Sequence, residues 1–306
     1  MRLGLIGAGR WGKRYIETMK HIPGVGLAHL ASSNPESRML VSDDCIVTSR
    51  WEEVAENRHL DGIILATPPA MHLEMALAAI RAGIPVLVEK PMTLSLTDAH
   101  ILADGAMSHN VLTMVGHTHL YSSAFRQLKR NSEALGQLIH TRSCGGNWGP
   151  FRPDATVLWD WGPHDIAMCL DLFGAFPFDI HADRIANVTQ LRVDGEAIAI
   201  TLKFDCGAYS KIHLSNLELQ KRRFFEAAYD GGSLVYDDLA SDKLVFRAAT
   251  ANVAETVVID QSMPLTNLVE EFCSAIGRGN RVSDSLALGL KVVEVLAACQ
   301  ATLDLK

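Results

Sequence analysis

Apolar residues in the first third of the chain fall into short runs separated by stretches of helical spacing. Leu3 to Ile6 is one such run, and a helix-length stretch follows from Arg10 to about His21. Gly24 to Ala31 reads as the second strand, and Asp61-Gly-Ile-Ile-Leu-Ala66 as another, which stops at Thr67-Pro68-Pro69. Leu73, Leu77 and Ile80 then recur at helical spacing between about Met71 and Ala82, and Gly83 ends that helix before the strand Ile84 to Val88. A helix over about Leu96 to Ser108 and a strand from Val111 to Val115 complete the series. Strands alternating with helices predict a parallel sheet covered on both faces.

After about Tyr121 the pattern changes. A helix over roughly Ser122 to Arg130 leads into longer strand-like stretches: Gln137 to Gly145, Ala182 to Thr189, Ala197 to Phe204 and Tyr209 to Asn216. Turn signals at Asp194-Gly195 and Asp205-Cys-Gly207 make these hairpin-connected. Two helices close the chain, at about Leu265 to Ile276 and Asp284 to Leu303. The expected fold class is an α/β doubly wound parallel sheet over residues 1–119, followed by an α+β domain over 120–306. The second domain carries a large, mostly antiparallel open sheet, and its C-terminal helices are free to pack back on the first domain.

The chain has 306 residues, 48% of them hydrophobic and 21% charged, with a formal net charge of −7. That balance argues against a general nucleic-acid binder or a polybasic membrane patch. The one basic cluster, Lys221-Arg222-Arg223, reads as a solvated loop. The six cysteines (Cys45, Cys144, Cys169, Cys206, Cys273 and Cys299) form no C-x-x-C pair, so free thiols and no metal site are expected. No apolar run reads as long enough to span a bilayer, and the N-terminus enters a strand without a signal-peptide pattern. The expected location is the cytoplasm.

Candidate chemistry gathers at the predicted strand ends. Gly7, Gly9 and Gly12 form G-x-G-x-x-G between a strand and a helix, the order a dinucleotide site needs. Gly7, Ala8, Gly9, Arg10, Trp11 and Gly12 are therefore candidate cofactor residues. Ala66-Thr67-Pro68 with His72, and Glu89-Lys90-Pro91, follow two further strands. In an open parallel sheet these segments share the ligand-binding edge.

With these motifs in place, the chain resembles the glucose-fructose oxidoreductase/inositol dehydrogenase (Gfo/Idh/MocA) family of NAD(P)-dependent sugar oxidoreductases. The glycine loop, T-P-x-x-x-H and E-K-P carry the resemblance, which extends over nearly the whole chain. Trp159-Asp160-Trp161-Gly162-Pro163-His164-Asp165, opening an apolar helix that runs to about Phe173, matches the family's D-x-G-x-H. The resemblance implies that Lys90, Asp160 and His164 meet around the reacting carbon, and that the Lys90–Pro91 peptide is cis. Alcohol oxidation releases a proton and a hydride. A histidine titrates near neutral pH and suits the base, a lysine can hold the oxygen as it gains alkoxide character, and Asp160 can orient or balance either. Ala167 departs from the family, which often has a second aspartate there. Asp165 faces another way on a helix and does not replace it.

Other readings stand beside these. Asp160 also reads as the N-cap of a helix starting near Gly162. His72 either caps the next helix or closes the wall near the nicotinamide. His117 and His119 either contact substrate or are structural. Trp148, Phe151, Trp159 and Trp161 form either core or a sugar-stacking wall, and Arg152, in a loop rich in glycine and proline, is either an anion ligand or solvated. The second strand ends without the acid that an NAD site usually carries, and Ser32, Ser33, Asn34 and Arg38 could accept a 2′-phosphate, which favours NADP over NAD. Glu36 opposes this unless it points away. The resemblance also implies a homodimer or homotetramer built by stacking the C-terminal sheets and a small-molecule sugar or nucleotide-sugar substrate, while the charge balance points to neither nucleic acid nor membrane as partner. Two rivals remain: a glycoside hydrolase using NAD for transient oxidation, and a non-catalytic NAD(P)-binding regulator.

Overall fold

Four strands of the first unit, β1 (Arg2–Ile6), β4 (Gly62–Leu65), β5 (Val86–Glu89) and β6 (Thr113–Gly116), are buried along their whole length except at Arg2. This is why the sequence shows continuous apolar runs there: both faces of the sheet are covered. With β2 (Gly26–Ala31) and β3 (Ile46–Thr48) they form a six-stranded parallel sheet in the order β3-β2-β1-β4-β5-β6. Strand order reverses between β1 and β4, the position where open sheets of this kind bind ligands. The computed structural model describes residues 1–151, 155–190, 193–205, 207–250 and 254–305.

Helices α1 (Arg10–Lys20), α2 (Glu52–Ala55), α3 (His72–Arg81) and α4 (Leu96–His109) connect the strands. The unit comprises residues 1–118 together with 263–293. Residues 263–293 lie beyond the sequence-based boundary at 119/120, yet packing places them here. On α7 (Pro264–Gly277), Phe272 and Ile276 press on Gly62, where a Cβ would come within 3.0 Å and 2.8 Å of them. At the start of α8 (Asp284–Asp304), Ser285 Oγ accepts from the Val115 amide at 2.9 Å.

The second unit comprises residues 119–262 and 294–306. Its sheet has eight strands: β7 (Leu138–Trp148), β8 (Asp179–Gln190), β9 (Val193–Lys203), β10 (Tyr209–Ser215), β11 (Leu217–Tyr229), β12 (Gly232–Asp237), β13 (Leu244–Ala248) and β14 (Ala254–Thr256). Their order is β14-β13-β12-β11-β7-β10-β9-β8, antiparallel except where β10 runs parallel to β7. Helices α5 (Ser123–Ser132) and α6 (Val157–Phe173) lie on one face. Ile198, Ile200, Leu202, Ile212, Leu214 and Phe225 are buried beneath them.

Three expectations change. Lys221-Arg222-Arg223 is not a loop but part of β11, with Arg223 paired across from Gly145. Helix α6 starts at Val157 rather than near Gly162, with Pro163 in its interior, so Asp160 lies in its first turn and is not its N-cap. Instead, Glu196 Oε1 accepts from the Val157 amide at 2.9 Å. Finally, α8 is long and apolar enough to cross a bilayer by length and composition, against the reading that no run is. Its Val292, Val293, Val295, Leu296 and Cys299 are buried within the protein, as in a core helix.

Candidate functional site

In the first unit the glycine loop is shaped by close approach. Gly7 has φ +99°, and a Cβ there would stand 2.6 Å from the Ala66 carbonyl oxygen. A Cβ on Gly12 would stand 2.0 Å from the Gly7 carbonyl oxygen, so α1 can pack on the loop only without one. Gly9 has nothing within 4 Å of its Cβ position. It is also the N-cap of α1. An open approach to the amino end of a helix, walled by two glycines that cannot be replaced, fits a pyrophosphate. Arg10 is exposed and Trp11 half-buried, with the Arg14 guanidinium 5.0 Å from the Trp11 ring centroid.

The end of β2 is tied up locally. Ser32 Oγ and Ser37 Oγ are 2.8 Å apart, and Asn34 Oδ1 accepts from the Glu36 amide at 3.0 Å. Arg38 donates from Nη2 to the Ser42 carbonyl at 2.7 Å and to Asp43 Oδ1 at 3.2 Å, and from Nη1 to the Cys45 carbonyl. Of the four residues considered for a 2′-phosphate, Ser33 is exposed, while Arg38 is half-buried and held by its own loop. Glu36 is exposed in a 3-10 turn, Pro35–Leu40.

The segments after β4, β5 and β6 converge. His72 is buried, with Nδ1 and Nε2 each 3.0 Å from a carbonyl oxygen, of Pro91 and Thr67 respectively. Burial pulls its proton affinity below the ordinary histidine value, and the carbonyls oppose that in part. The ring thus ties Ala66-Thr67-Pro68 to the Lys90–Pro91 turn, where the peptide is cis. Glu89 is buried and accepts from Tyr15 OH at 2.6 Å and from the Lys90 amide at 3.1 Å. Burial raises its pKa, and the Tyr15 bond opposes the rise. His117, just beyond β6, is buried. Loss of solvent first, and the positive charge of Lys90 second, push its pKa down to about 3. A half-buried ammonium group therefore sits near a neutral imidazole at the carboxyl end of the sheet.

In the second unit, Asp160 and His164 are one turn apart on α6 and share a face. His164 is buried, and its ring meets that of His119 edge-on, with centroids 4.6 Å apart at 81°. Asp165 is fully buried on another side of the helix, as its position requires. Trp161 carries the Arg223 guanidinium at 5.4 Å. Trp159 Nε1 donates to Gln300 Oε1 at 3.2 Å, which makes it structural. Trp148 is exposed at the end of β7 and meets Phe151 edge-on at 5.7 Å. Arg152 lies outside the described residues, as does Cys206. Among the described residues no cluster could hold a metal ion, and Cys45, Cys144, Cys169, Cys273 and Cys299 are free.

The sequence reading passes over Tyr15 and Glu196 and places Arg223 on a solvated loop. No local motif marks the first two. Arg223 shares its parity with Phe225, Ala227 and Tyr229, a signal that its inward face could have been read from.

A parallel sheet of this order, with the glycine loop at its switch point and a lysine at a neighbouring strand end, defines a dinucleotide-dependent oxidoreductase. Residues 1–117 match the profile of the Gfo/Idh/MocA oxidoreductases with their NAD-binding Rossmann fold. The solved structure of an oxidoreductase with no substrate named, from Magnetospirillum magnetotacticum MS-1, is 39% identical over 98% of this chain and 99% of its own, with a TM-score of 0.90. The 4-carboxy-2-hydroxymuconate-6-semialdehyde dehydrogenase of Sphingobium sp. is 27% identical over 99% of each chain. The UDP-N-acetylglucosamine 3-dehydrogenase of Acidithiobacillus ferrooxidans is 28% identical over 62% of this chain and 60% of its own. The chain belongs to the Gfo/Idh/MocA family and is an enzyme of the dehydrogenase and reductase class.

Proposed function

We propose that the enzyme transfers a hydride between a nicotinamide dinucleotide and a secondary alcohol, or the matching ketone, of a sugar or sugar derivative, with nucleotide sugars among the candidates. The observation that carries this is the pairing of chemistries within each unit. Lys90 stands near neutral His117 in one, and Asp160 shares a helix face with His164 in the other. The bound dinucleotide supplies the hydride acceptor or donor. The amides around Gly9 and the start of α1 hold its pyrophosphate, and the segments Ala66–Pro68 and Glu89–Lys90 line its site. Lys90 Nζ donates to the reacting oxygen and stabilises its alkoxide character. A ring nitrogen of His164 takes the hydroxyl proton, and Asp160 orients the ring. His117, Trp148 and Trp161 contact the substrate. The lack of an acid at Ser32, Ser33 and Asn34 favours NADP, although Arg38 must then release one of its loop carbonyls. The protein works in the cytoplasm as a dimer or tetramer, with residues 1–119, together with 263–293, forming the cofactor-binding unit and the rest of 120–306 binding substrate and partner copies.

A second reading has one specific support: the full-length match to a dehydrogenase named for a carboxylated semialdehyde. The deciding experiment measures reduction of free NAD⁺ and NADP⁺ against sugars, nucleotide sugars and a carboxylated semialdehyde. Steady turnover with a sugar alcohol supports the proposal. Turnover only with the semialdehyde selects the second reading. Glycosidic cleavage without net cofactor turnover identifies a hydrolase.

A further inference from the structure

Asp165 lies one residue from His164 but about 100° around α6, on the side that meets the sheet. Its side chain is 1% exposed, and its Oδ2 is 3.8 Å from Arg223 Nη1. Arg223, 16% exposed, comes from β11 directly across from Gly145 and lies over the Trp161 ring. Trp161 and Asp165 are one turn apart, so the guanidinium touches two successive turns of the helix. All three side chains converge on Gly145. A Cβ there would lie 3.3 Å from Asp165 Oδ2, 3.4 Å from Arg223 Nη1 and 3.4 Å from Trp161 Cε3. One turn further along, Cys169 Sγ is 3.0 Å from Ser210 Oγ and 3.6 Å from Thr141 Oγ1, so the rest of this helix face meets small neutral groups.

A buried ion pair is a poor way to gain stability, because an apolar pair of similar volume generally does as well or better. What the charged pair adds is direction. Apolar contacts alone let a helix roll, whereas rolling α6 would draw the Asp165 carboxylate away from the Arg223 guanidinium, 3.8 Å from it and over the Trp161 ring, and leave both charges buried apart. We propose that Arg223 and Asp165, in the space Gly145 leaves, are positioning residues that set the rotation of α6 and thereby where Asp160 and His164 are presented. This rests on the reading of Asp160 and His164 as catalytic.

The test uses the full chain. Asp165→Asn should lower kcat by roughly tenfold to a hundredfold while leaving the dissociation constant for NADPH unchanged. The double variant Asp165→Leu with Arg223→Met should recover the melting temperature but not kcat. Gly145→Ala, which keeps every charge, should give a smaller loss of kcat. Recovery of kcat together with stability in the double variant would reduce the pair to a structural contact and overturn the inference. A crystal structure of Asp165→Asn gives a readout independent of substrate. The His164 ring should leave its 4.6 Å edge-on contact with His119, and an unmoved α6 would equally sink the idea. Lys90→Met and His164→Ala run alongside. If they retain activity, the catalytic reading fails. If they abolish it while the clamp variants do not, only this inference fails.

Discussion

A buried imidazole near an ammonium group has a single stable protonation state at neutral pH. His117 is in that position, and its pKa falls from the ordinary 6.5 to about 3. The unfolded chain therefore binds a proton that the native state refuses. His117's contribution to stability is complete above about pH 6.5 and is lost as pH falls toward 3, reaching about 2 kcal/mol by pH 5. Glu89 and Asp165, whose pKa values burial raises, act with the opposite sign above their ordinary values. The effect must accordingly be read as a difference. Between pH 7.5 and pH 5, the wild type should lose more melting temperature than His117→Gln, and parallel slopes would show that the ring is charged. Two further outcomes belong at this scale. Lys90→Met should cost ~10²–10⁴-fold in kcat with dinucleotide binding largely kept, and His164→Ala should both lower kcat and change its pH profile. NADP(H) should bind more tightly than NAD(H) at equal salt, and a tenfold preference for NAD(H) would show that the hydroxyls after β2 do not select the 2′-phosphate.

At the level of elements, the glycine loop separates folding from binding. Gly12→Ala puts a methyl group 2.0 Å from the Gly7 carbonyl oxygen, so α1 must shift. Both the melting temperature and dinucleotide affinity should drop. Gly9→Ala meets no atom within 4 Å beyond its two chain neighbours. Its melting temperature should hold within a few degrees while the dissociation constant for the dinucleotide rises at least tenfold, because the methyl group occupies the space left for the pyrophosphate. Calorimetry beside a binding titration checks the contrast. The loop was legible in the sequence because three glycines at fixed spacing sat between an apolar run and a helix. The strands β1, β4, β5 and β6 were legible because burial on both faces leaves unbroken apolar runs. The start of α6 was not, since Asp160 reads as an N-cap before Gly162 while Glu196, 39 residues away from Val157, does the capping. Strand β11 went unread because Lys221-Arg222-Arg223 hid the alternation that continues through Phe225, Ala227 and Tyr229. Asp160 and His164 came from one motif, whereas His119 and Arg223 reach α6 only through tertiary packing.

For the molecule as a whole, the open question is what meets the sheet face opposite α5 and α6. Apolar residues fall on both parities from Ala197 to Phe204. The structure divides them unequally: Ile198, Ile200 and Leu202 are buried on the helix side, whereas Ala199, Thr201 and Lys203 occupy the other parity. Neighbouring strands add Tyr209 and Lys211, and an Arg142–Glu226 pair with Nε 2.8 Å from Oε2. Phe178 is among the exposed large apolar residues of the same sheet region. A face of mostly polar and charged side chains is poor as a core, but its charges can pair with those of a second copy across a two-fold axis. The expected state is therefore a dimer, or a tetramer built from dimers, in sedimentation velocity at micromolar concentration. Ala199→Arg sets a long cation into that face without disturbing Ile198 or Ile200. It should shift the population toward monomer while leaving the melting temperature of the chain little changed. A wild type that sediments as a monomer would overturn the assignment of this face, and an oligomer insensitive to Ala199→Arg would move the interface elsewhere on the chain.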